Sequence, residues 1–171
     1  MTEVCPDCGF AWGDLPVDGF GPALASLGDR YAGRLASDES SLRRRPAPDV
    51  WSPLEYACHV RDVLLAQRER VYLALVEDRP SFARMNREER VTLARYAEES
   101  PTAVQADLAL AIRHMAIALT GRSEADWSRM LVYNYPGPSE RDLAWLGRHT
   151  LHECEHHLVD IDRGLAANAS A

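Results

Sequence analysis

Lysine is absent from this chain: all 19 of its basic residues are arginine. That removes Schiff-base catalysis and the lysine of phosphate-binding loops, both of which need a primary amine or its ammonium. Lysine codons are AT-rich and arginine codons largely GC-rich, so the bias, with the many alanines, fits a GC-rich bacterial coding sequence. Positive charge is scarce overall. The formal net charge is −7, whereas a nucleic-acid footprint needs basic side chains clustered on one face to neutralise phosphates. The triplet Arg43-Arg44-Arg45 is too short to supply one. No uninterrupted apolar run approaches the roughly 18 residues of a membrane span, and the opening Met1-Thr2-Glu3-Val4-Cys5 is not the charged-then-apolar pattern of a secretory leader. These absences predict a cytoplasmic protein without nucleic-acid or membrane partners.

Cysteine is also sparse, with four in the chain. In a cytosolic setting a permanent disulfide is the least expected use of them. Cys5 and Cys8 form a CxxC within Cys5-Pro6-Asp7-Cys8-Gly9-Phe10 that has the shape of a zinc knuckle. No second CxxC follows, so two of the four ligands of a closed zinc site are missing. Two readings stand side by side: a reduced thiol pair on an amino-terminal arm, or a second zinc at Cys5 and Cys8 whose remaining ligands come from elsewhere.

At 171 residues, 46% of them hydrophobic, the chain suits one domain with a sizeable core. The sequence divides into an arm over 1–19 and a single domain over 20–171. Pro22 opens a first long helix that is expected to reach about Ser41. Asp49 or Ser52 caps a second, with Pro53 in its first turn, running to about Glu77. The charged segment from Arg79 to Ser100 is an excursion with one short helix in its Met85-to-Ala97 part. A third long helix opens at Ser100-Pro101, carries Val104, Leu108, Ile112, Met115 and Leu119 on one face and stops at Gly121. After the turn-rich Tyr133-to-Pro138 stretch, a fourth starts at Ser139 and Glu140 and runs to about Leu165. No period-2 strand stands out and no internal repeat is present. The fold class expected is all-α: a four-helix bundle with connections too long for simple up-down-up-down topology.

Metal-capable side chains concentrate late in that fourth helix. Four of the six histidines fall within His149-Thr150-Leu151-His152-Glu153-Cys154-Glu155-His156-His157. At about 100° per residue, Leu143, Leu146, Cys154, Leu158, Ile161 and Leu165 form the stripe that faces the core. Glu153 and His157 fall inside its edge, with His149 one turn earlier on the same ridge. His152 and His156 fall almost opposite, with Trp145 and Val159. Two rival i, i+4 pairs therefore exist, and the wheel favours Glu153 with His157. On the second helix His59 sits at the margin of a stripe made by Tyr56, Ala57, Val60, Val63, Leu64, Val71 and Leu75, so it can look into the bundle. Two imidazoles and one carboxylate would leave coordination positions open, as a catalytic rather than a closed structural site does. Zinc is the expected ion, and nickel or iron accepts the same donors. His149, His152 and His156 stand as competing ligands. Asp62, three residues after His59, is read as solvated, and Arg95, Tyr96 and Arg148 as candidate contacts for an anionic substrate that more often serve as surface residues.

The run Trp51-Ser52-Pro53-Leu54-Glu55-Tyr56-Ala57-Cys58-His59-Val60-Arg61-Asp62, taken with the late HxxHExxHHxxDI run, resembles the DinB-like superfamily of metal-dependent bundle proteins over about residues 20 to 165. That superfamily includes the mycothiol-dependent maleylpyruvate isomerase type and the bacillithiol and mycothiol S-transferases. The resemblance implies one ligand from the second helix, at His59, and two from the fourth, four residues apart. The second of the histidine pair in His156-His157-Leu158-Val159-Asp160-Ile161 is then the ligand. Four residues earlier most members carry histidine, whereas this chain has Glu153, as the isomerase type does. The chain ends soon after the fourth helix where that isomerase continues into a second domain, which points away from isomerisation of maleylpyruvate itself. The CxxC is not part of the family pattern. The implied activity is thiol S-transfer, with mycothiol as thiol cosubstrate and a small electrophile as partner, and homodimers are common in such bundles. A metal-dependent hydrolase and a non-enzymatic metal-binding stress protein are the alternatives.

Overall fold

Serine and proline punctuate the chain where its long helices begin. In a computed structural model that describes residues 3–13 and 15–170, the elements in order are α1 (Phe20–Leu35), α2 (Glu39–Arg43), α3 (Pro53–Val76), β1 (Ser81–Phe82), α4 (Arg87–Leu93), α5 (Pro101–Leu119), α6 (Glu124–Trp127), β2 (Met130–Tyr133), β3 (Ser139–Asp142) and α7 (Leu143–Ala169). The expected limits at residues 1 and 171 lie outside the described residues. At the start of α3 the Ser52 hydroxyl accepts from the Glu55 amide, the Glu55 carboxylate accepts from the Ser52 amide, and Pro53 occupies the first turn. This reciprocal cap satisfies amides that have no intrahelical partner. Ser100 caps α5 in the same position before Pro101. Gly121, with φ +71°, takes the left-handed turn just past its end.

Glu55 is itself buried, and two hydrogen bonds of 2.8 and 2.6 Å from Arg45 reach its oxygens. Burial alone would raise its pKa. The Arg45 guanidinium and the Ser52 amide outweigh that and hold it below the usual carboxylate value. A depressed folded pKa means that the stabilisation is present above the unfolded value of about 4.3 and disappears as pH falls through the folded one. Glu55→Gln should therefore flatten the acid limb of stability: the gap in urea midpoint between wild type and variant, seen at pH 7, should close on acidification below about pH 4.

The four long helices form a bundle in which α3 packs against α5 and α7, and α1 packs against the same two. The successive long helices α1 and α3 thus lie diagonally, as the long connections predicted. Phe20, Leu24, Leu27, Tyr31, Leu54, Leu64, Leu108, Met115 and Leu119 fill the space between them. Close approach of α1 and α7 depends on Gly147: a Cβ there would lie 2.6 and 2.7 Å from two ring carbons of Phe20, which is fully buried and edge-on to Trp127. Alanine gains about 1 kcal/mol of helix propensity over glycine, but overpacking a rigid ring costs about 1–3 kcal/mol. Gly147→Ala is expected to lose up to about 2 kcal/mol, read as a lower urea midpoint at unchanged slope.

Three expectations change. The first helix ends at Leu35 rather than near Ser41, because the Asp38 carboxylate accepts from the Ser41 amide at 3.0 Å and starts the separate short α2, which buries Leu42. The last helix begins at Leu143, where Asp142 accepts from the Trp145 amide at 2.6 Å. Ser139 and Glu140 instead belong to β3. A three-stranded sheet is present, β1 parallel to β2 and β2 antiparallel to β3, with Val132 opposite both Ser81 and Glu140. It lies beside the bundle and brings Phe82 and Tyr133 toward the α3–α7 seam. The helix Pro101–Leu119 is long and apolar enough, at mean hydropathy 1.2, to cross a membrane by length and composition alone. Its buried face packs on α1 and α3, the behaviour of a core helix.

Candidate metal centre

α3 and α7 run side by side, and His59 from the first meets Glu153 and His157 from the second. One potential ligand atom from each lies within 4.8 Å of the others. His59 Nε2 is 3.9 Å and His157 Nε2 3.6 Å from the same oxygen, Glu153 Oε2. The i, i+4 spacing of Glu153 and His157 stacks them one turn apart on the face that α7 turns toward α3. Trp51 meets the His59 ring edge-on and Tyr56 stacks on His157, so both imidazoles are held by packing.

The hydrogen bonding is incomplete in an informative way. The Nδ1 of His157 is 2.9 Å from Asp160 Oδ2. Donation of its Nδ1–H to that carboxylate leaves the Nε2 lone pair turned to Glu153, the arrangement by which a carboxylate orients a ligating histidine. His59 is only 2% exposed, yet neither of its ring nitrogens has a hydrogen-bond partner among the described residues. A buried imidazole without partners is costly, and an ion between His59, Glu153 and His157 would relieve it. The groups of the cluster also set one another's charge. Burial opposes the charge on Glu153, but the imidazoles of His157 and His59 hold its carboxyl well below the usual range. Burial pushes His59 down. For His157 burial also pulls down, and the Asp160 and Glu153 carboxylates overcome it and raise the pKa. The donor set, two imidazoles and a carboxylate, fits a divalent ion with vacant positions.

His59 and Glu153 border a cavity of about 350 Å³ whose wall also includes His149, Arg70, Tyr133 and Tyr135. Residues 24–161 match the DinB superfamily. The chain belongs to that superfamily. The comparison with curated proteins found no match. Among solved structures, this DinB-superfamily chain is similar to YfiT from Bacillus subtilis, described as a probable metal-dependent hydrolase with an unusual four-helix bundle topology, at 17% identity and TM-score 0.77, covering 86% of this chain and 85% of that one. It is also similar to the mycothiol-dependent maleylpyruvate isomerase, at 18% identity and TM-score 0.70, covering 89% of this chain and 63% of the isomerase, and to a point mutant of that enzyme at 17% identity. At such identities the likeness establishes the fold.

The remaining candidates of the DinB-superfamily chain separate in space. His149 comes within 4.0 Å of Glu153, but its Nε2 lies 3.1 Å from the Tyr133 hydroxyl. That hydroxyl also accepts from Gln67 and Arg70, both at 3.3 Å, and so can donate only to His149. His152 and His156 face the amino-terminal arm, with Phe10 and Trp12 against the His152 ring. Asp62 is not a solvated group. It accepts from the Tyr96 hydroxyl at 2.7 Å and pairs with Arg61 and Arg90. Arg95, Tyr96 and Arg148 do not line the cavity: Arg95 pairs with Glu98, Tyr96 is buried, and Arg148 lies over the Phe20 ring. The arginines that do line it are Arg70, Arg84 and Arg87. Sequence reasoning missed Arg70, although its interruption, with Gln67, of the otherwise apolar inner stripe of α3 is a signal that could have found it. Tyr133 carried no comparable signal, because a four-residue strand places it.

Proposed function

We propose that this protein is a divalent-metal enzyme that holds zinc through His59, Glu153 and His157 and activates a low-molecular-weight thiol, mycothiol or a close equivalent, for attack on a small anionic electrophile. The observation that carries the metal is the pair of buried imidazoles with free Nε2 atoms flanking one carboxylate oxygen, one oriented by Asp160 and the other left without any hydrogen bond. An ion held there supplies Lewis acidity that lowers the pKa of a thiol or water at its vacant position. The chain's own groups do the rest. Asp160 keeps the His157 proton on Nδ1. Arg70 is 8% exposed, has no carboxylate within ion-pair distance among the described residues, and faces the cavity, so an acidic group of substrate or thiol is its natural counter-ion. Phe82 and Tyr135 supply apolar surface to the cavity wall. Nickel or iron would satisfy the same donors.

A second reading has its own support. Two imidazoles and a carboxylate with an open position also serve hydrolytic zinc sites, and the Bacillus subtilis neighbour described as a probable metal-dependent hydrolase is matched over nearly its whole length. Incubation with mycothiol and a generic electrophile, with and without chelator, separates the two. Thiol conjugation that the chelator abolishes is the expected result. Turnover of ester or amide substrates without thiol would instead favour hydrolysis, and metal-dependent melting without either would leave a structural site.

A further inference from the structure

The CxxC of the arm meets the two histidines of α7 that the cavity does not use. Cys5, Cys8, His152 and His156 each place one ligand atom within 4.8 Å of the other three, with Cys5 Sγ 3.7 Å from His156 Nδ1. From these positions we infer a second metal site, a closed Cys2His2 zinc centre that fastens the amino-terminal arm to the outer face of α7. The arm is shaped for it. The Gly9 amide donates to the Cys5 carbonyl and the Cys5 amide to the Phe10 carbonyl, both at 2.9 Å, and Gly9 takes φ +75° to close the turn between the thiols and the short bridge of Val4 with Ala11. The Arg163 guanidinium, about two turns beyond His156 on α7, donates to the Asp7 carbonyl at 3.0 Å.

A second, independent sign is His152. Both of its ring nitrogens are shut off from solvent and lack a hydrogen-bond partner among the described residues, although Phe10 and Trp12 close over the ring. Hydrogen bonding within the fold does not account for that histidine, whereas ligation does. His152 also comes near His149 and Glu153, but His149 Nε2 is engaged by Tyr133 and Glu153 lies between His59 and His157. The two thiols have no competing use. C-x2-C with H-x3-H is the ligand spacing of Cys2His2 zinc sites, here split so that almost the whole chain lies between the halves. Two thiolates neutralise the ion, four protein donors leave no vacancy, and sulfur selects zinc over magnesium or calcium. The site is structural. Its ligands alternate along α7 with those of the inner centre, His152 beside Glu153 and His156 beside His157. Trp12 also stacks on Trp145 and His149, so the fastened arm backs the cavity wall.

Full-length protein purified without chelator should contain two equivalents of zinc. Cys5→Ser/Cys8→Ser should retain one, and His59→Ala should retain the other. Cobalt(II) substitution of the wild-type chain reads the thiolates directly: a sulfur-to-cobalt charge-transfer band is expected in wild type and in His59→Ala, and its loss is expected in the cysteine pair variant. This keeps the outer site separable from the inner one, since failure of the inner reading would leave the band intact. Because the band is measured on unaltered protein, misfolding of a variant does not blunt the test. A cobalt-loaded wild type without that band, or metal-loaded protein whose Cys5 and Cys8 react freely with a thiol reagent, would overturn the inference.

Discussion

Glu153→Ala protein should leave purification without the ion at His59 and His157, and its chelator-sensitive activity should fall by more than about 10²-fold, beyond what removal of a merely supporting partner does. Glu153 is the only anionic donor of the three, and its Oε2 is the atom both imidazoles approach. Without it two imidazoles remain, one donor short of the three protein ligands of a catalytic zinc site. The same substitution separates ligation from packing. In chelator-treated protein the imidazoles of His157 and His59 still favour the Glu153 carboxylate, so Glu153→Ala should melt lower than wild type there, and the gap should widen when metal is supplied. His152→Ala is the paired control, expected to keep the inner ion while losing the outer. Retention of the inner equivalent by Glu153→Ala would remove the proposed chemistry.

The residues of this centre could be read from the chain because α3 and α7 are long and regular. Over such lengths a 100° wheel predicts which side chains share a face, and Glu153 and His157 lie on the face that α7 turns to His59. The same wheel set His152 and His156 apart from them, and that separation is what the arm exploits. What the wheel could not reach is non-local. β3 occupies Ser139–Asp142 because Met130–Tyr133 pairs with it and Ser81–Phe82 pairs with that strand in turn. Nothing within a two-residue or four-residue strand records a partner some fifty positions away. Tyr133, carried by that sheet into the cavity, was lost with it. The break at Ala36–Asp38 was missed for a local reason: a single aspartate cap outweighs an apolar pattern that would otherwise continue. Arg70 was missed although a charge inside an apolar stripe is a local signal, and what it would face depended on the sheet.

Arg70→Met is expected to raise KM for an anionic substrate by about 10- to 100-fold, the equivalent of one charge-assisted hydrogen bond of about 1.5–3 kcal/mol, with a smaller change in kcat. Methionine keeps the length and most of the apolar volume against Phe82 and Tyr133, whose rings lie 5.7 and 5.2 Å from the guanidinium carbon. What disappears is the positive charge beside the cavity, the donations to the Ala83 carbonyl at 2.6 Å and to Gln67 Oε1 at 3.2 Å, and one of the two donors to the Tyr133 hydroxyl. If the guanidinium binds an acidic group remote from the reacting atoms, its loss weakens ground state and transition state alike, and the cost falls on KM. Neutral analogues of the same electrophile supply the discriminating readout. Their KM should be nearly the same in wild type and variant. Equal losses for charged and neutral substrates would mean that Arg70 only braces the β1 connection, and a loss confined to kcat would move the guanidinium from substrate binding to the developing charge of the reaction itself.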